Sequence, residues 1–158
     1  MKLKYMTLTA LATSMIFVTT IMLQIPNGIG GYIHLGDGLL LVFSILLPSR
    51  YAFFAASIGS ALADLASGYS LYILPTFIIK GWMSLCFYHH QNSTKRIMLG
   101  YLSSCILLIG GYFITDFILY QSFSIAALSI LPNLLQGGCG CILSFLLYPI
   151  LMKSLRSF

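Results

Sequence analysis

The sequence predicts an all-α integral membrane protein, a bundle of six transmembrane helices with both termini in the cytoplasm. Hydrophobic residues make up 59% of the 158-residue chain, charged residues make up only 7%, and there is no Glu. Six apolar segments fill nearly the whole chain, since a transmembrane helix needs roughly 20 apolar residues. Basic residues flank these segments at alternate ends. A soluble domain could not cover so apolar a surface, so a single membrane domain over residues 1–158 is expected.

The predicted spans are separated by residues that end helices, such as Pro, Gly and clustered polar residues. They run from about Met6 to Leu23, Gly38 to Leu47, Tyr51 to Ala66, Thr76 to Tyr88, Ile97 to Leu119 and Pro132 to Met152. The first span follows two lysines and so resembles a signal peptide, but the small-residue triplet Ala10-Leu11-Ala12 precedes most of its apolar run. A cleavage site follows such a run, so we expect a retained helix.

The positive charges indicate the topology. Loops at residues 27–38, 67–75 and 120–131 carry no Lys or Arg. The bases flank the opposite ends of the spans, at Lys2, Lys4, Arg50, Lys95, Arg96, Lys153 and Arg156. Lys and Arg are enriched in cytoplasmic loops, so both termini are predicted to be cytoplasmic. These bases are scattered singly and in pairs and form no stripe for phosphates, which excludes nucleic acid as a partner.

The other charged residues form a polar layer. The helical rise places Asp37, Asp64, Lys80 and Asp116 in the outer third of the predicted bilayer. An ionisable group inside a membrane costs several kcal/mol unless it is paired or faces water, so these residues are candidates for a binding site. Three alternatives stay open: an Asp64–Lys80 ion pair joining spans three and four, Asp37 as the N-cap of span two, and Asp116 beside the lipid headgroups.

Span three combines a packing surface with a polar face. Ala55, Gly59 and Ala63 recur at every fourth residue, and small residues at this spacing let neighbouring helices approach closely. On a second face, Ser57 and Ser60 lead at helical spacing toward an acid, Asp64. We therefore expect tight packing on one side and a polar site on the other.

The outer zone is rich in aromatic hydroxyls. Its tyrosines are Tyr32, Tyr69, Tyr72, Tyr112 and Tyr120. Their flat faces and polar tips suit a small aromatic heterocycle, although an interfacial aromatic belt explains some of them equally well. His34 lies in a Gly-rich loop, where a lid role and an interfacial role are both open. One lysine against three aspartates argues against a phosphorylated ligand, which calls for clustered Arg or Lys.

No catalytic, metal or cofactor site is expected. The cysteines Cys86, Cys105, Cys139 and Cys141 show no CxxC and no metal-like spacing to His, and we interpret them as small buried residues. An embedded enzyme would need a nucleophile or metal cluster, and only His89-His90 with Lys95 offers one, in a predicted cytoplasmic turn. A channel would need a continuous polar lane, whereas the polar faces stop halfway. Binding without a through-path is the better interpretation.

Several segments resemble the substrate-binding S components of energy-coupling factor (ECF) transporters, in the branch that carries riboflavin, hydroxymethylpyrimidine and pyridoxine. The likeness covers essentially the whole chain, and its specific part runs from Gly31 to Gly81. It lies in the segments Gly31-Tyr32-Ile33-His34-Leu35-Gly36-Asp37, Gly59-Ser60-Ala61-Leu62-Ala63-Asp64-Leu65-Ala66-Ser67-Gly68-Tyr69, Pro75-Thr76-Phe77-Ile78-Ile79-Lys80-Gly81 and Pro132-Asn133-Leu134-Leu135-Gln136-Gly137.

The resemblance implies a membrane-embedded binding subunit for a small B-type vitamin or precursor, with pyridoxine or hydroxymethylpyrimidine favoured. A riboflavin-binding S component and a non-transport structural membrane protein are the alternatives. Asn133 and Gln136 at the expected start of the last helix are the favoured ligand contacts, because amides can bond to ring nitrogens and hydroxyls. The full set of expected substrate-binding residues is His34, Asp64, Lys80, Tyr112, Asp116, Asn133 and Gln136, and the lid residues are Gly31, Tyr32, Tyr69 and Tyr72.

The resemblance also implies partners in a bacterial cell membrane. Family members dock on a transmembrane T component that carries two cytoplasmic ATPases, through small residues on the first helix. Here the nearest matches are the pairs Thr9/Thr13 and Ala10/Ser14. The chain is not expected to hydrolyse ATP itself, because the sequence contains no G-x-x-x-x-G-K-[ST] loop.

Overall fold

The computed structural model describes residues 2–28, 31–87 and 93–156, which form six α-helices and one small β-hairpin. The helices are α1 (Lys2–Met22), α2 (Gly36–Leu46), α3 (Ser49–Ala66), α4 (Ile73–Leu85), α5 (Thr94–Tyr120) and α6 (Phe123–Arg156). The strands β1 (Gln24–Pro26) and β2 (Tyr32–His34) lie between α1 and α2, and a 3₁₀ turn (Ser70–Tyr72) precedes α4. The all-α prediction is confirmed, with the hairpin as an addition.

Three of the described helices are long and apolar enough to cross a membrane, namely those over Leu3–Met22, Thr94–Tyr120 and Phe123–Lys153. The segments Gly36–Leu46 and Ser70–Leu85 are apolar but shorter. Large apolar side chains such as Leu102, Ile106 and Phe145 are more than half exposed on the outside of the bundle. A surface of this kind is suited to lipid rather than to water.

Helices α1 and α3 pack closely at Gly59. A Cβ atom at this position would lie 2.8 Å from the backbone oxygen of Thr13 and 3.1 Å from Cβ of Ile16. Ala55 and Ala63, one turn on either side, are fully buried. The predicted tight packing of the small-residue stripe is therefore confirmed, and α1 is the helix that it packs against.

Two contacts join, in pairs, helix ends that carry bases in the sequence. The rings of Tyr5 and Tyr51 stack with centroids 5.4 Å apart, which brings the start of α1 beside the start of α3. The Tyr101 hydroxyl lies 2.9 Å from the Ser144 hydroxyl, which joins the first part of α5 to the last part of α6. The β-hairpin and the 3₁₀ turn follow the other ends of α1 and α3.

The β-hairpin replaces the irregular first loop that the Gly-rich sequence suggests. Its antiparallel strands pair Gln24 with His34, Ile25 with Ile33 and Pro26 with Tyr32. The Gln24 side-chain amide donates to the hydroxyl of Ser67 at 2.7 Å, which attaches the hairpin to the loop after α3. The hairpin is therefore held over the C-terminal end of α3.

The predicted third outer loop, Tyr120 to Leu131, is wrong. Only Gln121 and Ser122 separate α5 from α6, and Gln121 adopts a left-handed conformation with φ of 48° that reverses the chain. The Ser122 hydroxyl accepts a hydrogen bond from the amide of Ile125 at 3.4 Å. Pro132, the predicted start of the sixth span, lies inside α6. A proline within a helix removes one hydrogen bond and its ring crowds the carbonyl four residues earlier, but α6 continues on both sides of Pro132.

Helix α6 crosses α2 at two glycines. A Cβ atom on Gly38 would lie 2.5 Å from Leu143, and one on Gly140 would lie 3.1 Å from Cβ of Asp37. This close approach leaves no room for water between the helices, so it places Asp37 deep in the bundle. Asp37 is 0% exposed.

Candidate functional site

A cavity lies where the β-hairpin and the 3₁₀ turn cover α3, α4, α5 and α6. Its described lining residues are Asn27, Gly31, Tyr32, His34, Asp64, Tyr69, Tyr72, Thr76, Tyr112, Asp116, Ser129, Asn133 and Gln136. In this cavity the centres of water molecules have about 40 Å³ available. The lining is polar and aromatic, in contrast to the apolar outside of the bundle.

Beneath the cavity, Lys80 pairs with Asp37. The ammonium Nζ of Lys80 lies 2.7 Å from Oδ1 and 2.7 Å from Oδ2 of Asp37, and both side chains are 0% exposed. The predicted Asp64–Lys80 pair is therefore wrong, as is Asp37 as the N-cap of α2. Leu35 occupies the N-cap position, and Asp37 lies in the first turn, where it faces α4. A buried carboxylate needs a counter-charge, and Lys80 provides it.

Gln136 joins this ion pair to the β-hairpin. Its Nε2 donates to Oδ2 of Asp37 at 2.7 Å, and its Oε1 accepts from the backbone amide of His34 at 3.2 Å. Gln136 lies near the middle of α6 rather than at the start of the last helix, as does Asn133, because α6 begins at Phe123. Both ends of the Gln136 amide are thus engaged within the protein, although the side chain lines the cavity.

Asp64 and Tyr32 form one wall of the cavity. The Tyr32 hydroxyl donates to Oδ1 of Asp64 at 2.5 Å, which connects β2 to the end of α3. The Tyr69 ring packs against Tyr32 with centroids 4.7 Å apart. Burial, together with the nearby Asp64 carboxylate, raises the pKa of Tyr32 well above its ordinary value, so this phenol stays protonated and remains a donor.

The opposite wall pairs the 3₁₀ turn with α5. The Tyr72 hydroxyl donates to Oδ1 of Asp116 at 2.7 Å. One turn earlier on α5, the Tyr112 hydroxyl lies 2.7 Å from that of Thr76. The Lys80 ammonium lies 5.5 Å from the centroid of the Tyr112 ring, so a cation–π contact links this wall to the buried ion pair.

Helix α6 presents Ser129 and Asn133 to the cavity. They are four residues apart and therefore share one face of the helix. The Asn133 Nδ2 donates to the backbone oxygen of Ser129 at 2.9 Å, which fixes the orientation of the amide. Its Oδ1 receives no hydrogen bond from the described residues, so it can accept one from a molecule in the cavity.

His34 is a buried neutral imidazole. Its Nδ1 accepts a hydrogen bond from the amide of Gly36 at 3.1 Å, which turns the chain from β2 into α2. The pKa of His34 is lowered to about 4, mainly by burial; the Asp37 carboxylate opposes this lowering and the Lys80 ammonium adds to it. At neutral pH this side chain therefore contributes no positive charge to the cavity.

Ten of the eleven residues predicted for substrate binding or the lid line this one cavity, and Lys80 is the exception. Sequence reasoning missed Asn27, Thr76 and Ser129 as lining residues. Thr76 lies one turn before Lys80 on the same face, a signal that was present in the sequence. Ser129 lies in a segment that the sequence predicts as a loop, so its position on a helix face toward the cavity was not expected.

The predicted docking residues of α1 divide between two faces. Thr9 and Thr13 are half-buried, and their hydroxyls donate to the backbone oxygens of Tyr5 and Thr9 at 2.7 and 2.8 Å. Ala10 and Ser14 are exposed. The sequence pair His89-His90 lies outside the described residues. Within the described ranges no group of three or more His, Cys, Asp or Glu is placed to hold a metal ion.

Known proteins are similar to this chain in sequence or in fold. A protein of Pyrococcus woesei described as an uncharacterised protein in a gap 3′ region is 30% identical over 145 residues, covering 85% of this chain and 97% of that protein. The thiamine precursor transporter HmpT of Lactococcus lactis subsp. cremoris (strain MG1363) is 27% identical over 154 residues, covering 96% of this chain and 90% of the transporter. A solved S component of a bacterial ECF transporter has a TM-score of 0.82 and 20% identity over 99% of both chains.

The family comparison agrees with these relatives. The family model of the ECF-type riboflavin transporter S component matches residues 1–153. That match includes the first five helices, α6 up to residue 153, the β-hairpin and every described residue that lines the cavity. The chain therefore belongs to the family of ECF-type riboflavin transporter S components, which are transporter subunits and not enzymes.

Proposed function

We propose that this chain is the high-affinity, membrane-embedded binding subunit for uptake of a small B-type vitamin or precursor, with hydroxymethylpyrimidine or pyridoxine as the favoured ligand. The observation that carries the proposal is the polar, aromatic cavity under the β-hairpin. A largely enclosed site with a few convergent polar groups is typical of small-molecule binding. The likeness to HmpT, a thiamine precursor transporter, supports a pyrimidine.

The size of the cavity supports a ligand with one ring. Tyr32, Tyr72 and Tyr112 line a small space in which the centres of water molecules have about 40 Å³ available, and their rings can stack on a flat ligand ring. Three fused rings would require the β-hairpin or the 3₁₀ turn to move outward. Riboflavin is the second candidate, because the matching family is described by that vitamin.

The membrane arrangement that we propose is a single six-span domain with both termini in the cytoplasm of a bacterial cell. The alternating charges support it, since the bases lie at the ends of the bundle opposite the β-hairpin. In this orientation the cavity opens toward the outside of the cell, where a nutrient is captured. Cysteine labelling from either side, at Ser70 and at Ser93 in a variant without native cysteines, would test the orientation.

The expected partners are a transmembrane T component and two cytoplasmic ATPases. We infer that the exposed small residues Ala10 and Ser14 of α1 form part of the docking surface. Ala10→Trp should then reduce recovery of the T component in a pull-down from co-expressing cells. Leu11→Trp is the matched control, because Leu11 is 52% exposed on the adjoining face. Equal recovery with both variants would place docking elsewhere.

The binding proposal is tested by calorimetry on protein purified into nanodiscs, titrated with hydroxymethylpyrimidine, pyridoxine and riboflavin. Saturable binding of one of the single-ring ligands is the expected result. Asn133→Ala should weaken that binding at least tenfold, because it removes a free acceptor from the cavity. Leu134→Ala, which alters an outward-facing neighbour, is the control and should bind normally. Absence of saturable binding to all three vitamins would overturn the proposal.

A further inference from the structure

The cavity carries an excess of negative charge. Among the described residues that line it, Asp64 and Asp116 are acidic, and none is Lys or Arg. The nearest ammonium, Lys80, lies outside the lining and has both of its short contacts with Asp37. The lining therefore holds two carboxylates whose charge is not neutralised by a salt bridge from the described residues.

One atom of this lining lacks a hydrogen-bond partner. Four buried side-chain oxygens in the described residues have no hydrogen bond, namely those of Thr20, Ser57 and Ser60 and the Oδ2 of Asp64. Of these four oxygens, only Oδ2 of Asp64 belongs to a residue that lines the cavity. An unsatisfied buried oxygen costs free energy, and a donor from a bound molecule would remove that cost.

No described residue donates a hydrogen bond to Oδ2 of Asp64, and its polar neighbours have shorter contacts elsewhere. The Tyr32 hydroxyl already donates to the other oxygen, Oδ1, at 2.5 Å. The Thr76 hydroxyl forms its short contact with the hydroxyl of Tyr112, at 2.7 Å. The Lys80 ammonium is directed to Asp37. A molecule in the cavity is thus the natural source of the missing hydrogen bond.

Asp116 faces the same space from α5. Its Oδ1 accepts from Tyr72 at 2.7 Å, and its other oxygen has no hydrogen bond from the described residues. Two carboxylates with one free oxygen each, in a site with little water, favour an occupant that brings positive charge and N–H donors. An anionic occupant would add a third negative charge to the same cavity.

Resting on the function proposed above, we propose that the site selects the cationic form of an amino-substituted nitrogen heterocycle, with Oδ2 of Asp64 accepting a hydrogen bond from its protonated edge. Phosphate esters and neutral oxo analogues of the same ring are rejected. A protonated aminopyrimidine fits this description, since its ring N–H and amino N–H point in one direction. Asp64 is thus the specificity-determining residue, and Asp116 supplies the second negative charge.

The test compares three ligands that share one ring: hydroxymethylpyrimidine with its 4-amino group, the analogue with a 4-oxo group, and the phosphate ester of the amino compound. Dissociation constants are measured by calorimetry in nanodiscs at pH 6. We expect the amino compound to bind at least 100-fold more tightly than the oxo analogue, and the phosphate ester not to bind. Comparable affinity for the amino and oxo compounds overturns the inference.

Variants identify the residue responsible. In Asp64→Asn the amino compound should lose at least 30-fold in affinity, and the preference over the oxo analogue should fall below about fivefold, because a neutral amide can donate to an oxo group. Ser129→Ala, a neutral change in the same lining, should retain the preference even if both ligands weaken. A preserved 100-fold preference in a folded Asp64→Asn variant assigns selectivity to another residue and refutes the role of Asp64.

The outcomes separate the two proposals. If no vitamin binds, the proposed function fails. If riboflavin or pyridoxine binds but the amino pyrimidine shows no advantage over its oxo analogue, the function stands and the charge selectivity fails. Should Asp64→Asn not fold, the comparison of amino, oxo and phosphate ligands on the unaltered chain still decides the question.

Discussion

Lys80 of α4 and Asp37 of α2 meet in a fully buried ion pair, with Nζ 2.7 Å from each carboxylate oxygen. Taking two charges out of water costs free energy. The attraction between them offsets that cost only when their remaining hydrogen bonds are also satisfied. Gln136 provides one of these bonds from α6. The pair therefore holds three helices together at the base of the cavity, while the cavity itself retains its negative charge.

Replacing Lys80 should destabilise the protein strongly. Lys80→Met leaves Asp37 buried without a counter-charge, and breaking a buried pair in this way typically costs about 3–5 kcal/mol. Denaturant unfolding in detergent, followed by circular dichroism, measures the loss. Lys95→Met, which removes an exposed lysine from the start of α5, should leave the free energy of unfolding nearly unchanged.

The double variant Lys80→Met with Asp37→Leu separates charge from packing. Removing both charges together should restore much of the stability lost in Lys80→Met, because no unpaired charge is then buried. A double variant as unstable as Lys80→Met alone would mean that the pair acts through its shape rather than through its charge.

Gln136→Leu should loosen the β-hairpin. The change removes the acceptor of the His34 amide and a donor to Asp37, and leaving buried groups unsatisfied costs about 1–3 kcal/mol each. Hydrogen exchange at His34 should accelerate, and a bound vitamin should dissociate faster. Gln121→Leu is the control, since Gln121 is exposed and lies in the turn between α5 and α6. Unchanged exchange in Gln136→Leu would mean that other contacts hold the hairpin.

Tyr32→Phe should weaken the join between β2 and α3. The variant keeps the ring that packs on Tyr69 and removes only the donor to Asp64. Hydrogen bonds to charged groups contribute about 1.5–3 kcal/mol, so the unfolding midpoint should fall measurably. Tyr5→Phe retains its stacking on Tyr51 and is the matched control, with little change expected.

Because the pKa of His34 is lowered in the folded protein, we expect the free energy of unfolding to depend on pH. Its pKa is about 4 in the folded protein and about 6.5 when unfolded, so the unfolded chain binds more protons between these values. The free energy of unfolding should therefore rise with pH from about 4 to 6.5 and level off above, by at most about 3 kcal/mol. Unfolding curves across this range measure the effect. His34→Asn should flatten the slope in that window, and a slope equal to that of the unaltered protein would assign it to other groups.

Gly59→Ala should separate α1 from α3. The added methyl group would lie 2.8 Å from the backbone oxygen of Thr13, and the helix backbones must move apart to admit it. Overpacking of this kind typically costs about 1–3 kcal/mol. Gly138→Ala is the control, because nothing lies within 4 Å of a Cβ atom there. That variant should be neutral or slightly stabilising, since Ala favours helix.

The helix positions and the composition of the cavity follow largely from sequence periodicity. Asp64, Tyr112 and Asp116 could be placed because acids and tyrosines recur at helical spacing inside apolar segments. Sequence periodicity could not predict that Lys80 pairs with Asp37. Which acid meets Lys80 depends on the approach of α2 to α4 and α6, and that approach is set by contacts at Gly38 and Gly140 that no single segment contains.

The start of α6 was mispredicted for a local reason. Proline is common at the first position of a helix, and the preceding segment, residues 120–131, carries three serines, which also suit a loop. The structure instead continues the helix through Pro132, so Asn133 and Gln136 lie two to three turns further along it than the sequence suggested. Tertiary packing against α5 outweighs the preference of the proline for a terminus.

Helix α6 has 34 residues, which at 1.5 Å per residue corresponds to a rod of about 51 Å. The hydrocarbon core of a bilayer is about 30 Å thick, and a straight helix of this length could fit within it only by tilting beyond the usual range of about 40°. Part of α6 must therefore project past the lipid tails, at one end or at both. Ser129 lies only six residues, about 9 Å, from the start of α6. In the orientation proposed above, this end of the cavity is close to the headgroups, so that a ligand would enter from water and would not have to dissolve in lipid first.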